Sequence, residues 1–251
     1  MIRLKTVMAG LAQSCSAAIY PEVCQMCGDE TAKPEEGFIG RGCQAKFKPI
    51  KPPFCRRCGQ SFKGEFSGGF ECANCKEMGF QFKFARAAML ANADMLEVIH
   101  RFKYEQALWL VPLFERMLSD SVLEQIRDWG GDCLVPVPLH PVSFRQRGFN
   151  QAEQLCRSIC EKSGLIVEVR AIIRNRVTQS QTLLSRSARA ANVRGAFEPY
   201  KVKLDGRRVV LVDDVLTTGA TTSDCARACK RAGAAEVGVW TLARGLSLPE
   251  H

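Results

Sequence analysis

The chain has 251 residues, 46% of them hydrophobic, and a formal net charge of +9. That length fits one large domain, or one medium domain plus a small module, and the charge suits an anionic partner without naming it. No apolar run approaches the length of a transmembrane helix. The thirteen cysteines are odd in number and several fall in C-x-x-C pairs, which argues against a disulfide framework. Thiolate chemistry in a reducing compartment, the cytoplasm, fits better. There is no solenoid-type repeat and no low-complexity tract.

Met1–Ile19 carries Arg3, Lys5 and some apolar residues, but Gln13, Ser14 and Ser16 break the apolar run. A short amphipathic helix is expected there rather than a signal peptide.

Residues 20–80 form a cysteine module. Its pairs are Cys24-x-x-Cys27, Cys55-x-x-Cys58 and Cys72-x-x-Cys75, with a single Cys43. A C-x-x-C knuckle turns tightly and aims two thiolates at one metal, and two knuckles give the tetrahedral S₄ set that suits zinc. Gly28 and Gly59 follow the second cysteine of their pairs, where positive φ is common. The intervening sequence is rich in Lys, Pro and Gly, so metal is expected to supply its folding energy. Cys55, Cys58, Cys72 and Cys75 make one complete site. Cys24, Cys27 and Cys43 make three quarters of another, and the place three residues on is filled by Lys46. That first site is degenerate, lost, or completed by an unidentified ligand. A cross-braced pairing of the knuckles and a redox-active C-x-x-C are the competing readings. Four thiolates leave no open position, so the zinc is structural rather than catalytic. Cys15, Cys133, Cys156, Cys160, Cys225 and Cys229 read as small buried residues.

Phe84–Asn92 predicts a strand. Asp94 is a candidate cap for the helix that follows, with Met95, Ile99 and Phe102 on its apolar face. His100 and Lys103 on that helix are either a solvated edge or a basic contribution to an anion site. Helix continues over 105–127, and Pro112 either kinks it or opens a second one. Cys133–Pro138 predicts a short strand broken by prolines. Leu139, His140 and Pro141 follow as a loop, with Arg145 and Arg147 just before a helix starting near Asn150. An Arg-bearing loop between strand and helix is an anion cradle. Leu165–Ile173 predicts another strand. Residues 174–197 carry Arg174, Arg176, Arg186, Arg189 and Arg194 and no acid, and predict a long mobile loop.

Val209–Val212 predicts a buried strand, followed by the adjacent acids Asp213 and Asp214. Next comes the loop Thr217, Thr218, Gly219, Ala220 and Thr221, then a helix over Ser223–Ala232 capped by Gly233. Amides at a helix N-terminus favour an anion, Gly219 permits close approach, and threonine hydroxyls add donors. Carboxylates accept from vicinal hydroxyls, so the order suits a sugar phosphate. The loop lacks the lysine of a Walker A motif. In α/β sheets ligands gather at the carboxyl ends of strands, so this loop and the 139–150 segment are expected to face one crevice. Glu236–Ala243 predicts the last strand, and the tail from Gly245 is short.

VVLVDDVLTTGAT resembles the phosphoribosyl pyrophosphate (PRPP) signature of type I phosphoribosyltransferases. With VPVPLHPxxxRxRGFNQA and the cysteine module, the chain from about residue 20 onward is similar to the ComF competence protein family. Lys46 departs from that family, which usually has a cysteine there. The resemblance implies an α/β fold of the type I phosphoribosyltransferase kind, a Rossmann-like parallel sheet flanked by helices, with a small N-terminal zinc-ribbon module. It divides the chain into an N-terminal helix (1–20), the ribbon module (21–80) and the phosphoribosyltransferase-like domain (81–251).

The resemblance also implies roles. Asp213 and Asp214, the catalytic pair, bind the ribose hydroxyls and, through them or water, Mg²⁺. Thr217, Thr218, Gly219, Ala220 and Thr221 hold the 5′-phosphate. Leu139 and His140, with Arg145 or Arg147, approach the pyrophosphate, which Mg²⁺ bridges. The Arg-rich loop closes over the site and excludes water. Some purine-salvage relatives place an aspartate where this chain has Thr217, so no general base is visible and the acceptor is unnamed. The implied function is a PRPP-dependent transferase acting in DNA uptake and natural transformation. The alternative is a competence protein that binds single-stranded DNA through its basic span, with the PRPP site a sensor without transferase activity. Partners are PRPP, single-stranded DNA and other competence proteins, with no membrane span.

Overall fold

Apolar runs in the last third of the chain build two long central strands that are buried almost throughout. Parallel strands covered on both faces read as continuous apolar runs, as Val209–Val212 does. The computed structural model describes residues 22–62, 64, 70–118, 120–176 and 193–245. The helix expected over 1–20, Cys15, most of the Arg-rich span (177–192) and the tail beyond Gly245 lie outside the described residues.

The strands are β1 (Phe84–Leu90), β2 (Cys133–Pro136), β3 (Ile166–Val167), β4 (Ile172–Arg174), β5 (Phe197–Pro199), β6 (Arg208–Leu216) and β7 (Glu236–Arg244). The α-helices are α1 (Arg41–Gln44), α2 (Ala73–Met78), α3 (Ala93–Tyr104), α4 (Val111–Met117), α5 (Asp120–Trp129), α6 (Pro141–Arg147), α7 (Gln151–Ser163) and α8 (Ala220–Arg231). A five-stranded sheet runs in the order β1-β7-β6-β2-β3, and every pairing in it is parallel. β4 and β5 pair antiparallel outside it. The expected α/β architecture with helices on both faces is what forms.

Successive residues of β6 face opposite sides. Val209 and Leu211 join one core with Val135, Val237 and Val239, beneath α8 and the β4–β5 pair. Val210 and Val212 join the other with Leu134, Trp240 and Leu242, beneath α3, α4, α5 and α7. Each fully buried side chain of this size stabilises the fold by about 1.5–3 kcal/mol. Cys133, Cys156, Cys225 and Cys229 are buried in these cores, as expected of small residues.

The cysteine module wraps the β1 edge of the sheet. Cys24, Ile39, Cys43 and Phe47 belong to the second core, while Cys55, Cys58, Cys72, Cys75, Phe80 and Phe82 belong to the first. Its backbone also bonds to β1. Ile50 N–H donates to Ala88 O (3.0 Å), Leu90 N–H to Lys48 O (2.7 Å) and Ala85 N–H to Arg57 O (2.6 Å).

Several local expectations change. The cap of α3 is Asn92, whose side chain accepts from Met95 N–H, and Asp94 lies in the first turn. Pro112 opens a separate helix, α4, after a 3-10 turn at Leu108–Leu110. The single strand expected over Leu165–Ile173 is two. Glu168 accepts an ion pair from Arg207 at 2.7 Å, and beyond it the chain leaves the sheet to pair β4 with β5. The segment expected as a loop before Asn150 contains α6, capped by His140 and ended by Gly148 at φ 77°. Asn150 then caps α7 as expected, accepting from Ala152 N–H at 3.0 Å. α8 begins at Ala220, three residues before the predicted start, and its C-cap is Ala232 rather than Gly233.

Candidate functional site

After β2 the chain pairs β3 on one side of it, then returns to place β6 on the other. At such a reversal the loops leaving the two strands diverge and leave a crevice at their carboxyl ends. The loops in question follow β2 and β6, the two segments singled out in the sequence.

Asp213 and Asp214 lie within β6 rather than beyond it, because pairing continues through Asp213 opposite Thr241 to Leu216 opposite Arg244. Both are buried, at 8% and 4% exposure. Asp213 accepts from Asp214 N–H and Asp214 from Val215 N–H, each at 2.9 Å. Burial pushes Asp213 up to about 6, against the pull of Lys103, Arg174 and Arg147. Lys103 Nζ contacts Asp214 Oδ2. Burial brings Lys103 down to about 8, with Asp213 holding it up and Arg147 pressing it down. Of the two basic residues flagged on α3, Lys103 therefore joins the site, while His100 is exposed beside Tyr104.

Asp213 binds its proton more tightly folded, at about 6, than at its ordinary value of 3.8. The folded state holds more protons than the unfolded chain between those values. The group's stabilising share is complete below about pH 3.8 and is lost as the pH rises through 6. At neutral pH the acid is kept ionised by its cationic neighbours. Replacing Lys103 with Met is therefore expected to raise the Asp213 midpoint above 6, read from its carboxyl carbon shift by NMR. An unchanged or lower midpoint would show that this charge does not reach the acid.

On the β2 side, Arg147 donates to Gln151 (3.0 Å) and to Tyr104 Oη (3.2 Å), and lies over the Tyr104 ring. Its charge reaches Asp213. Arg145 instead lines a cleft of about 350 Å³ with Leu139, Phe144 and Asn150. His140 accepts at Nδ1 from Val142 N–H at 3.2 Å. The structure thus brings Arg147 to the acids and turns Arg145 to a neighbouring cleft. Arg174, counted in the sequence as part of the long loop, sits on β4, and its charge also acts on Asp213.

Beyond β6, Thr217–Gly219 bends into α8. Gly219 is the N-cap at φ 83°, a left-handed value that favours glycine. Ala220 N–H donates to Thr218 Oγ1 (3.4 Å) and Thr222 Oγ1 to Gly219 O (3.1 Å). Residues 215–222 wall a pocket of about 40 Å³. A side chain at Gly219 would strike Phe80 of the cysteine module, with Cβ 2.8 Å from the ring. Gln81 N–H also donates to Ser223 Oγ at 3.1 Å. The module and the bend are locked together.

A second lock is Arg244, 1% exposed at the end of β7. Its guanidinium donates to Cys58 O (3.1 Å), Leu216 O (3.0 Å), Thr217 O (2.6 Å) and Gly245 O (2.6 Å). It also approaches Cys58 Sγ at 3.7 Å. One side chain ties a metal knuckle to the bend after β6.

The cysteines gather into two sequential clusters, not a cross-brace. Cys55, Cys58, Cys72 and Cys75 are all buried, with their sulfurs within 4.8 Å of one another. The Cys55–Cys75, Cys58–Cys72 and Cys72–Cys75 separations are 3.7, 3.7 and 3.5 Å. Four sulfurs about 2.3 Å from a tetrahedral zinc stand about 3.8 Å apart. The cluster fits the ion. The Cys75 contact, with help from Arg244, pulls Cys58 down to about 4, toward the thiolate a metal needs. The other cluster holds Cys24, Cys27, Cys43 and Glu30 within the same limit. Lys46, where the gap was expected, is exposed. Sequence reasoning missed Glu30 because a search for a fourth thiolate passes over carboxylates.

Residues 15–77 match the double zinc ribbon domain family, and residues 143–251 match the phosphoribosyl transferase domain family. The DNA utilization protein YhgH of Escherichia coli (strain K12) is 36% identical over 152 residues, covering 59% of this chain and 66% of that protein. The alignment thus spans just under two thirds of that relative. Competence protein F of Haemophilus influenzae is 28% identical over 210 residues, covering 81% of this chain and 89% of that protein. The crystal structure of a purine phosphoribosyltransferase from Pyrococcus horikoshii overlaps 54% of this chain and 82% of its own, at 16% identity and a TM-score of 0.33.

The molecule is a phosphoribosyl transferase fold joined to a double zinc ribbon, with structural zinc in the ribbon. The chain carries both of these domains in the same order, and its relatives include Competence protein F and the DNA utilization protein YhgH.

Proposed function

We propose that the crevice between β2 and β6 binds PRPP with Mg²⁺, and that the protein acts in the cytoplasm in DNA uptake and natural transformation. The observation that carries this reading is the acid pair of β6 standing directly before a small pocket at the N-terminus of α8. Asp213 and Asp214 accept from the ribose hydroxyls. The bend from Thr217 to Thr221 takes the 5′-phosphate, where the helix end favours negative charge. Leu139, His140 and Arg147 face the pyrophosphate. Asp213 and Asp214 would hold Mg²⁺ through the ribose or water, and the ion would neutralise charge on the leaving pyrophosphate. Lys103 keeps the acid pair ionised before PRPP arrives, and Arg174 adds positive charge beside it.

Isothermal titration with PRPP and Mg²⁺ tests the reading. Asp213→Asn with Asp214→Asn is expected to weaken binding at least about tenfold, or about 1.4 kcal/mol. No binding by the unaltered protein would end the proposal.

A second reading rests on Thr217, which stands where some purine-salvage relatives carry an acid, and on the net charge of +9. In it the PRPP site is a sensor and the basic surface grips single-stranded DNA, in company with other competence proteins. Such binding falls steeply with salt. PRPP displacing DNA would place both in one crevice, and salt-independent affinity would remove this reading.

A further inference from the structure

We propose that Glu30 is the fourth ligand of the first ribbon's zinc, so that this centre is Cys₃Glu while the second is Cys₄. The argument comes from comparing the two ribbons. In the second, Cys72 caps α2 at φ −70° and ψ 157°, and Cys75 stands three residues on. In the first, Gly40 caps α1 at φ −68° and ψ 160°, and Cys43 stands three residues on. Cys72 N–H donates to Cys55 Sγ at 3.4 Å, and Gly40 N–H donates to Cys24 Sγ at 3.2 Å. Arg56 N–H bonds to Phe70 O at 2.9 Å, and Gln25 N–H bonds to Phe38 O at 2.8 Å. At these positions the two backbones correspond. The missing cysteine therefore belongs at position 40, not at Lys46.

Glu30 fills the space that the missing side chain leaves. A Cβ built at Gly40 would lie 2.2 Å from Glu30 Cδ, and one at Gly42 would lie 3.2 Å from each carboxylate oxygen. Gly42 N–H donates to Oε2 at 2.9 Å and Cys43 N–H to Oε1 at 3.0 Å, which fixes the carboxylate among the three sulfurs. Cys27 Sγ is 3.7 Å from Oε1. Three thiolates and a carboxylate carry the same formal charge as four thiolates, so they balance zinc equally well. The harder oxygen donor is the weaker match for zinc beside sulfur. With Cys27 exposed and Glu30 half-buried, the first ion is also the more open to a competing chelator.

X-ray absorption at the zinc edge of the full chain, with metal content measured on the same sample, tests this. Two zinc ions per chain are expected, with seven sulfurs and one oxygen among their eight ligands. Glu30→Ala is expected to lose one zinc or to release it much faster to a chelator. The position 40 backbone is ordinary for any residue, so adding Gly40→Cys to Glu30→Ala is expected to restore the second ion in an all-sulfur shell. One zinc in the unaltered protein, eight sulfurs in its shell, or retention unchanged in Glu30→Ala would each overturn the assignment. Should Glu30→Ala fold poorly, Glu30→Gln, of the same size, is read in its place: faster release of one zinc to the chelator is expected, and release as slow as in the unaltered protein would overturn the assignment.

Discussion

Arg244→Met is expected to destabilise the protein by about 3–5 kcal/mol, the range seen when one member of a buried charged contact is removed. The guanidinium is buried and serves four carbonyl oxygens, those of Cys58, Leu216, Thr217 and Gly245. Methionine fills much of the volume and removes that donor from the carbonyls of Cys58, Thr217 and Gly245, while Leu216 O keeps the Gly245 N–H at 2.8 Å. Each unsatisfied buried acceptor costs about 1–3 kcal/mol, offset where water can enter. A zinc held by four thiolates also carries net negative charge, which Arg244 offsets from 3.7 Å at Cys58 Sγ. Arg244→Lys is expected to recover only part of the loss, since an ammonium cannot span carbonyls on two strands and a knuckle. Denaturant midpoints at equal slope measure both variants. A midpoint for Arg244→Met equal to that of the unaltered protein would show that the tie is dispensable.

The other large effect is expected from metal removal. Stripping the Cys55, Cys58, Cys72 and Cys75 centre is expected to unfold the second ribbon and to loosen the bend after β6. Structural zinc in small modules contributes about 10–16 kcal/mol, comparable with or larger than the whole stability of a typical domain. These four cysteines and Phe80 and Phe82 form part of one buried core with β6 and β7. Phe80 also presses on Gly219, so its departure frees the turn that precedes α8. Hydrogen exchange with and without chelator measures this. Amides of residues 54–62 are expected to lose protection fully, and those of 217–223 to exchange faster. Unchanged exchange at 217–223 after zinc loss would show that bend and ribbon are independent.

Much of the fold was legible in sequence because its signals are local. Val209–Val212 reads as a strand from four consecutive apolar residues, and Asn150 marks a helix start by its cap chemistry. The acid pair and the glycine bend lie within ten residues, so their place at the end of a strand and the start of a helix was legible from their order. What stayed hidden depends on contacts between distant segments. Lys103 precedes Asp214 by more than a hundred residues, and only the packing of α3 against the sheet brings them together. Arg244 lies one residue past the predicted strand, and nothing local shows that it reaches a knuckle near residue 58. Glu30 was legible in principle: setting Phe38–Cys43 beside Phe70–Cys75 puts Gly40 opposite Cys72. The division of Leu165–Ile173 was not, since both halves are apolar and only their partners differ.

The backbone bonds from residues 48–57 to β1 bear on solubility. β1 is the last strand on its side of the sheet, and without those bonds its amides and carbonyls would form a ready template for another chain. A protein cut just before Phe84, or one starved of zinc, is therefore expected to stick to its own copies edge to edge. The ribbons guard the molecule against aggregation.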